Sequence, residues 1–257
     1  MDLALEGRVA LVLGSTSGLG LGIGHSLAAE GAKVVFCGRR GDFAKEIAET
    51  APSAVGLEVD LADEVSRAEL VHQVQKSLGE VDILVLNGGG PPPGMASSLT
   101  VVEMRQSLEL LLLAQIDFVQ LLLPSMRAKG WGRILAIGSS GVQQPIPNLV
   151  RSNTARAALA AYLKTLAGEV AADGVTVNMI LPGRIDTERV ATLDDHKAKR
   201  EGIAVESVRK ASTELIPTHR YGEVTEFAEV ATFLCSSRSS YITGSQIRVD
   251  GGVISAL

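Results

Sequence analysis

Gly14-Ser15-Thr16-Ser17-Gly18-Leu19-Gly20 follows an aliphatic run, Arg8-Val9-Ala10-Leu11-Val12-Leu13, and leads into a helical pattern that ends at Glu30-Gly31. Glycines at this spacing let backbone N–H groups approach a pyrophosphate, and the start of a helix adds partial positive charge where that anion would sit. A tight strand-to-helix turn without ligand is the alternative, and the place on the first strand of a βαβ unit argues against it. The next aliphatic run ends in Cys37-Gly38-Arg39-Arg40, with Lys33 ahead of it and no Asp or Glu. An acidic side chain there would bond the ribose 2′-hydroxyl of NAD, whereas arginine accepts the 2′-phosphate of NADP. Arg39 and Arg40 therefore favour NADP, with NAD not excluded; an exposed basic loop is their other reading. Asp60 closes the third run, where its carboxylate either meets an adenine amino group or caps the following helix.

The elements that must hold these residues alternate β-branched or aliphatic runs with longer helical patterns, as in a parallel sheet covered on both faces. Strands are expected at about 8–13, 33–37, 54–59, 81–86, 132–138, 174–180 and 246–249, and helices at about 18–30, 42–50, 63–78, 100–128, 150–172 and 224–236. Seven strands with right-handed crossovers give a doubly wound α/β fold of the Rossmann type, one domain over 1–257, with ligands beyond the carboxyl ends of the strands. Gly88-Gly89-Gly90-Pro91-Pro92-Pro93-Gly94 must be a loop at that edge, because prolines remove ladder donors. Residues 186–220 break the rhythm and carry Asp194-Asp195-His196-Lys197-Ala198-Lys199-Arg200-Glu201, too polar for a core; they are expected to form a lid.

With 46% hydrophobic and 21% charged residues, the chain can build one large core and is too apolar for disorder. Its net charge of −5 argues against a nucleic-acid partner, which needs a basic stripe. Cys37 and Cys235 fit neither a disulfide framework nor a metal spacing, so a cytoplasmic setting is expected. The residues before the first apolar run are acidic, and the richest apolar run, Leu108 to Leu123, is interrupted by Glu109, Gln115, Asp117 and Gln120; neither signal peptide nor membrane span is expected.

Over essentially the whole chain these features resemble the short-chain dehydrogenase/reductase superfamily, in particular its β-ketoacyl carrier-protein reductase-like branch. The resemblance rests on Gly14-x-x-x-Gly18-x-Gly20, Asn87-Gly88-Gly89-Gly90, Gly138-Ser139, Pro182-Gly183, Tyr241-Ile242-Thr243-Gly244 and Val249-Asp250-Gly251-Gly252, although Leu13 stands where Thr is usual. It implies hydride transfer between a nicotinamide and a carbonyl or alcohol of a small-molecule substrate. To the loop Gly14–Gly20, Arg39, Arg40 and Asp60 it adds Leu61, Asn87, Gly88, Gly89, Arg156, Pro182, Gly183, Ile185 and Thr187 as cofactor contacts.

The family moves its proton with a Tyr, a Lys one helical turn later that lowers the Tyr pKa, a Ser ahead of them and an Asn on the preceding helix. Ser139 matches that Ser, but Ser152 stands at the Tyr position, Arg156 at the Lys position and Leu111 at the Asn position. Tyr162 is about 15 Å farther along the helix from Ser152 at 1.5 Å per residue, and Tyr221 and Tyr241 have no partner that would acidify them. Against a phenol, a serine hydroxyl faces a deficit of about 5–6 pKa units, roughly 7–8 kcal/mol at full proton transfer. General acid catalysis as a whole is typically worth about 10²–10⁴-fold, so the change slows a reaction without abolishing it. Arg156 stays cationic and suits either a cofactor ribose or, as a planar fork, a carboxylate. The catalytic candidates are Ser139, Ser152 and Arg156. Some superfamily members share Gly89-Gly90-Pro91-Pro92-Pro93-Gly94, Gln144-Pro145-Ile146-Pro147 and Ser152-Asn153-x-x-Arg156, which resembles a divergent subgroup.

Two functions fit: a divergent 3-oxoacyl-carrier-protein-reductase-like oxidoreductase, or a dinucleotide-binding protein without turnover, acting as a sensor or hetero-oligomer partner. The retained Leu181-Pro182-Gly183-Arg184-Ile185-Asp186-Thr187 segment favours the enzyme. His196 and His219 are the nearby candidates for proton delivery, with solvated surface histidines as the plainer reading. The resemblance also implies a homodimer or homotetramer built on helices 100–128 and 150–172 and on the tail Ile247–Leu257.

Overall fold

Val9–Val12 (β1), Lys33–Gly38 (β2), Ala54–Glu58 (β3), Ile83–Leu86 (β4), Gly132–Ile137 (β5), Val175–Pro182 (β6) and Gln246–Val249 (β7) form one sheet in a computed structural model that describes residues 1–255. The strands run parallel in the order β3-β2-β1-β4-β5-β6-β7, the doubly wound arrangement expected from the sequence. Ala256 and Leu257, the end of the tail expected at a subunit interface, lie outside the described residues.

Successive side chains of a strand point to opposite faces, so each strand feeds two cores. Val9 and Leu11 pack with Glu64–Leu78 (α3), Ala114–Lys129 (α5) and Val150–Val170 (α6), through residues such as Leu70, Phe118 and Leu159. Ala10 and Val12 pack with Gly18–Ala29 (α1), Gly41–Glu49 (α2) and Val224–Leu234 (α9), through Ile23, Ile47 and Phe227. For numbering in chain order, α4 is Val101–Leu108, α7 is Glu188–Glu201 and α8 is Val205–Glu214.

Two expectations change. The helix expected at 100–128 is α4 and α5 joined by a π-helical turn over Glu109–Leu113, where the Gln115 side-chain amide donates to the Leu110 carbonyl at 2.9 Å. By length and composition alone, the continuous 29 residues Val101–Lys129 are apolar enough to cross a bilayer, contrary to the sequence reading. Here the inner face of that helix is taken up by the core at Phe118, Val119, Leu122 and Met126, and its Asp117 accepts from Arg67 at 2.5 Å. Leu113 and Leu121 remain exposed on its outer face.

Candidate active site

The sheet order turns back between β1 and β4, which opens a crevice beyond their carboxyl ends. Gly14 leaves β1 at φ +56° and Gly18 opens α1 at φ +56°, a left-handed conformation that glycine adopts without strain. A Cβ on Gly20 would stand 2.6 Å from the Gly14 carbonyl oxygen and 2.8 Å from Asn87 Nδ2, closer than real atoms allow. Asn87, just past β4, donates to that same carbonyl at 3.1 Å and ties the two strand ends together. Ser15 has a different part from the one its place in the loop suggests. It is fully buried, its hydroxyl donates to the Val12 carbonyl and accepts from Cys37 N–H, and its own N–H donates to the Cys37 carbonyl. Its polar groups thus lock β1 to β2, leaving the loop's other residues to face a ligand.

A cleft of ≈ 560 Å³ follows, lined by Thr16, Ser17 and Gly18 on one side and Arg40, Phe43, Thr187 and Glu188 on the others. Arg39 and Arg40 are exposed, with the Arg40 guanidinium 4.4 Å from the centre of the Phe43 ring. Leu19, in the first turn of α1, packs partly buried on the α1-side core. Thr187 caps α7 by accepting from Val190 N–H at 3.3 Å, and its methyl group lies 3.9 Å from where a Gly18 Cβ would be. Ile185 is buried, past the end of β6, where an isolated bridge joins it to Gly222, and Gly183 donates from its backbone to Val249 so close to Asp250 that a Cβ would fall 2.6 Å from the Asp250 Cα. Pro182 ends β6 beside it. At the end of β3, Asp60 is exposed and accepts from Ala62 N–H, Leu61 gives its carbonyl to Arg67, and the cap of α3 is Asp63. The capping alternative for Asp60 is therefore corrected: α3 starts at Glu64, and only a residue immediately before it can reach the first free N–H groups.

The far side of the crevice is made by β5 and α6. Ser139, half-buried, accepts from Gly141 N–H at 3.0 Å. Asn153 grips Ile146 by donating to its carbonyl and accepting from its N–H, which folds segment 139–149 onto the first turn of α6 next to Ser152. One turn on, Arg156 is 8% exposed and donates from Nη1 to the Ile137 carbonyl at the end of β5. Burial first, and the charge of Arg189 second, pull the Arg156 pKa down to about 10. It remains a cation at neutral pH. Arg189, from the first turn of α7, donates from Nη2 to the Pro91 carbonyl at 2.8 Å, so α7 is fastened to the Gly-Pro loop. Gly88 faces Gln115, whose buried Oε1 has no hydrogen-bond partner, while Gly89 has open space around it. Leu111 is buried in the π-helical turn as an apolar residue.

The charged stretch 194–201 does contribute to a core. Asp194 is 1% exposed, accepts from Arg184, and accepts from the Tyr221 hydroxyl at 2.8 Å. Tertiary pairing, invisible in local polarity, draws it inward. Tyr221 stays a weak acid: burial foremost raises its pKa, with the hydrogen bond to Asp194 adding to the rise. Tyr162 is also pushed up by burial, Tyr241 is fully exposed, and His196 and His219 lie at the surface. Arg189 and Gln115 stand beside the candidate site although no motif singles them out, whereas Asn153 belongs to the Ser152-Asn153-x-x-Arg156 motif.

A family model described as enoyl-(acyl carrier protein) reductase matches residues 14–254. The chain is 33% identical to the 3-oxoacyl-[acyl-carrier-protein] reductase of Aquifex aeolicus over 98% of its own length and 100% of the relative's. Among solved structures it is similar to the L-sorbose reductase of Gluconobacter frateurii complexed with NADPH and L-sorbose, with a TM-score of 0.94, 33% identity and complete coverage of both chains. It also resembles YwfH, an NADPH-dependent reductase involved in bacilysin biosynthesis, with a TM-score of 0.92, 27% identity, and 97% and 99% of the two chains covered.

Proposed function

We infer that this chain, which belongs to the short-chain dehydrogenase/reductase family, is an NADP-dependent oxidoreductase acting on a carbonyl or hydroxyl carbon, similar to 3-oxoacyl-carrier-protein reductases. The observation that carries the reading is the Gly14–Gly20 loop locked to Asn87, in a chain whose matched relatives are reductases. Those relatives favour turnover over a cofactor-binding protein without activity. The loop fits a dinucleotide: Gly14 and Gly18 take the left-handed turns that bring backbone N–H groups to the start of α1, and the cleft continues towards Arg40.

When bound, NADPH supplies the hydride. Thr16, Ser17, Gly18, Leu19 and Gly20 receive the pyrophosphate with their backbone, and Arg39 and Arg40 take the 2′-phosphate. Asp60 and Leu61 border the adenine, and Asn87, Gly88 and Gly89 line the path to the nicotinamide. Pro182, Gly183, Ile185 and Thr187 border the nicotinamide end. Ser139 and Ser152 donate to the substrate oxygen, and Arg156 holds positive potential behind it where negative charge develops. Because a serine hydroxyl is a poor acid, the proton comes from water. Residues 186–220 act as a lid within the single domain 1–257, fastened by Arg189 to Pro91 and braced internally by Arg209 on Asp186. The exposed outer faces of α4–α5 and α6 pair subunits into a dimer or tetramer in the cytoplasm, where gel filtration should give a multiple of 26.9 kDa.

The test is stopped-flow measurement of reduced-nicotinamide absorbance with a panel of β-ketoacyl thioesters, keto acids and ketoses. Oxidation of NADPH by at least one of them is expected. NADPH binding without oxidation by any would sink the reductase reading.

A further inference from the structure

Arg189 lies on the loop Gly90–Gly94, which leads away from β4, and Arg156 lies at the end of the neighbouring strand β5; neither has an ion-pair partner among the described residues. Gly94 donates from its backbone to the Asn148 carbonyl at 2.7 Å, which sets the loop against the start of α6, while Arg189 covers its other side, 3.1 Å from where a Gly90 Cβ would be. Arg156 donates to the Ile137 carbonyl at the end of β5, the strand paired with β4 from which the loop leaves. The nearby carboxylates are engaged elsewhere: Glu103 with Arg151, Asp186 with Arg209, Asp194 with Arg184 and Tyr221. Glu188, exposed, lines the separate cleft that also holds Thr16–Gly18 and Arg40. Among the described residues neither Arg156 nor Arg189 has an ion-pair partner; each gives a hydrogen bond to a neutral backbone carbonyl, and a guanidinium has five N–H donors.

We propose that Arg156 and Arg189 clamp the carboxylate of an oxo acid, so that the substrate is a free oxo acid rather than a neutral carbonyl compound. The proposal rests on the reductase reading and names its substrate class. The planar forks of the two guanidiniums suit a carboxylate; Arg156, being buried, gains more from an anion than the exposed Arg189 does. The depressed pKa of Arg156, caused by burial and by Arg189, agrees with a cation awaiting a counter-charge. The carboxylate held there leaves the neighbouring carbonyl near Ser139 and Ser152. In the reaction the carbonyl carbon gains hydride from NADPH, its oxygen gains a proton from water, and NADP⁺, a hydroxy acid and hydroxide, which solvent protons neutralise, leave.

Calorimetric binding to the NADP⁺-loaded protein separates the clamp from turnover. The probes are acetoacetate, pyruvate and benzoylformate, each against its methyl ester, which keeps the carbonyl and removes the charge. At least one acid should bind about 10- to 100-fold more tightly than its ester, the range of one or two charge-assisted hydrogen bonds. Arg189→Gln should reduce that ratio about tenfold, and Arg189→Lys should retain part of it. Lys199→Gln, an exposed change on the same helix, should leave the ratio as it is. Esters that bind as tightly as acids, no binding of any acid, or an unchanged ratio in Arg189→Gln would overturn the clamp. NADPH oxidation, followed in parallel, tests the other reading: esters reduced as fast as acids reject the clamp and uphold the reductase, whereas acid-selective binding without oxidation of NADPH does the reverse.

Discussion

Gly20→Ala tests the joint between β1 and β4 on which the cofactor site depends. The new methyl group would have to share space with the Gly14 carbonyl oxygen at 2.6 Å, Asn87 Nδ2 at 2.8 Å and the Ser15 Cα at 3.1 Å. Two of these atoms are backbone, and the third belongs to a side chain already bonded to the first, so none can yield cheaply. Overpacking of this kind costs about 1–3 kcal/mol. Pushing Asn87 off the Gly14 carbonyl adds about 1 kcal/mol for the lost hydrogen bond. The sum, about 2–4 kcal/mol, corresponds to a fall in Tm of roughly 4–16 °C for a chain of this size. Because the displaced carbonyl belongs to the phosphate loop, the affinity for NADPH should fall with stability, measured by nicotinamide fluorescence below the transition. Gly89→Ala is the control, since nothing lies within 4 Å of its Cβ position. If Gly20→Ala melts and binds NADPH like the wild type, or if Gly89→Ala is equally damaging to stability, the joint does not have the importance argued for it.

Asp194→Asn should lower stability by about 1–3 kcal/mol, less than a fully buried ion pair would because Arg184 is partly solvated; limited proteolysis should then cut between α7 and α8 faster than in the wild type. Arg39→Ala with Arg40→Ala should weaken NADPH binding about 10- to 100-fold, more than NADH binding, since the loss is of charge-assisted bonds to a 2′-phosphate; equal effects on both cofactors would remove the NADP assignment. Cys37 and Cys235, whose thiol pKa values burial raises from 9.0 to about 12, should resist a thiol reagent at pH 8 until the chain is unfolded. The folded state keeps their protons where the unfolded chain gives them up. Their contribution is complete below about pH 9 and lost as pH rises towards 12, at about 1.4 kcal/mol per unit for each thiol; urea midpoints in Cys→Ala variants should lack that slope.

The strands were legible because a sheet buried on both faces demands continuous aliphatic runs, as in Ile83–Leu86 and Val9–Val12. The glycine loop was legible because its constraints are steric and local. What sequence reasoning missed depends on partners far along the chain. Asp194 reads as surface among its charged neighbours, and only Arg184 and Tyr221, brought in from either side, make its burial tolerable. Ser15 reads as part of a phosphate loop, yet its hydroxyl serves Val12 and Cys37. Asp60 and Asp63 offer the same carboxylate to the same helix, and where α3 begins decides between them. Arg189 carries no periodicity that marks it; its role exists only once α7 lies over Pro91.

The contrast between the two halves of the site follows from the physics each must satisfy. The cofactor half is fixed by hard contacts: at Gly20 and Gly183 even one methyl group would collide with backbone, so these positions tolerate little change. The proton half is fixed by electrostatics, which acts over longer distances and can be supplied by different groups. Holding reactants in the productive geometry accounts for about 7–11 kcal/mol of a barrier, whereas general acid catalysis supplies about 10²–10⁴-fold, or roughly 3–5 kcal/mol. If Ser152 and Arg156 hold the proton-transfer positions, as proposed, the chain keeps the larger part of the rate advantage as long as its glycine loop is intact. A preorganised donor aimed at developing negative charge is worth about 2.7–4 kcal/mol, the same size as the acid catalysis replaced. Arg156, buried, cationic and fixed on Ile137, has the properties such a donor needs. In the proposed reaction it stabilises the alkoxide that hydride transfer creates, and the proton can arrive afterwards from water.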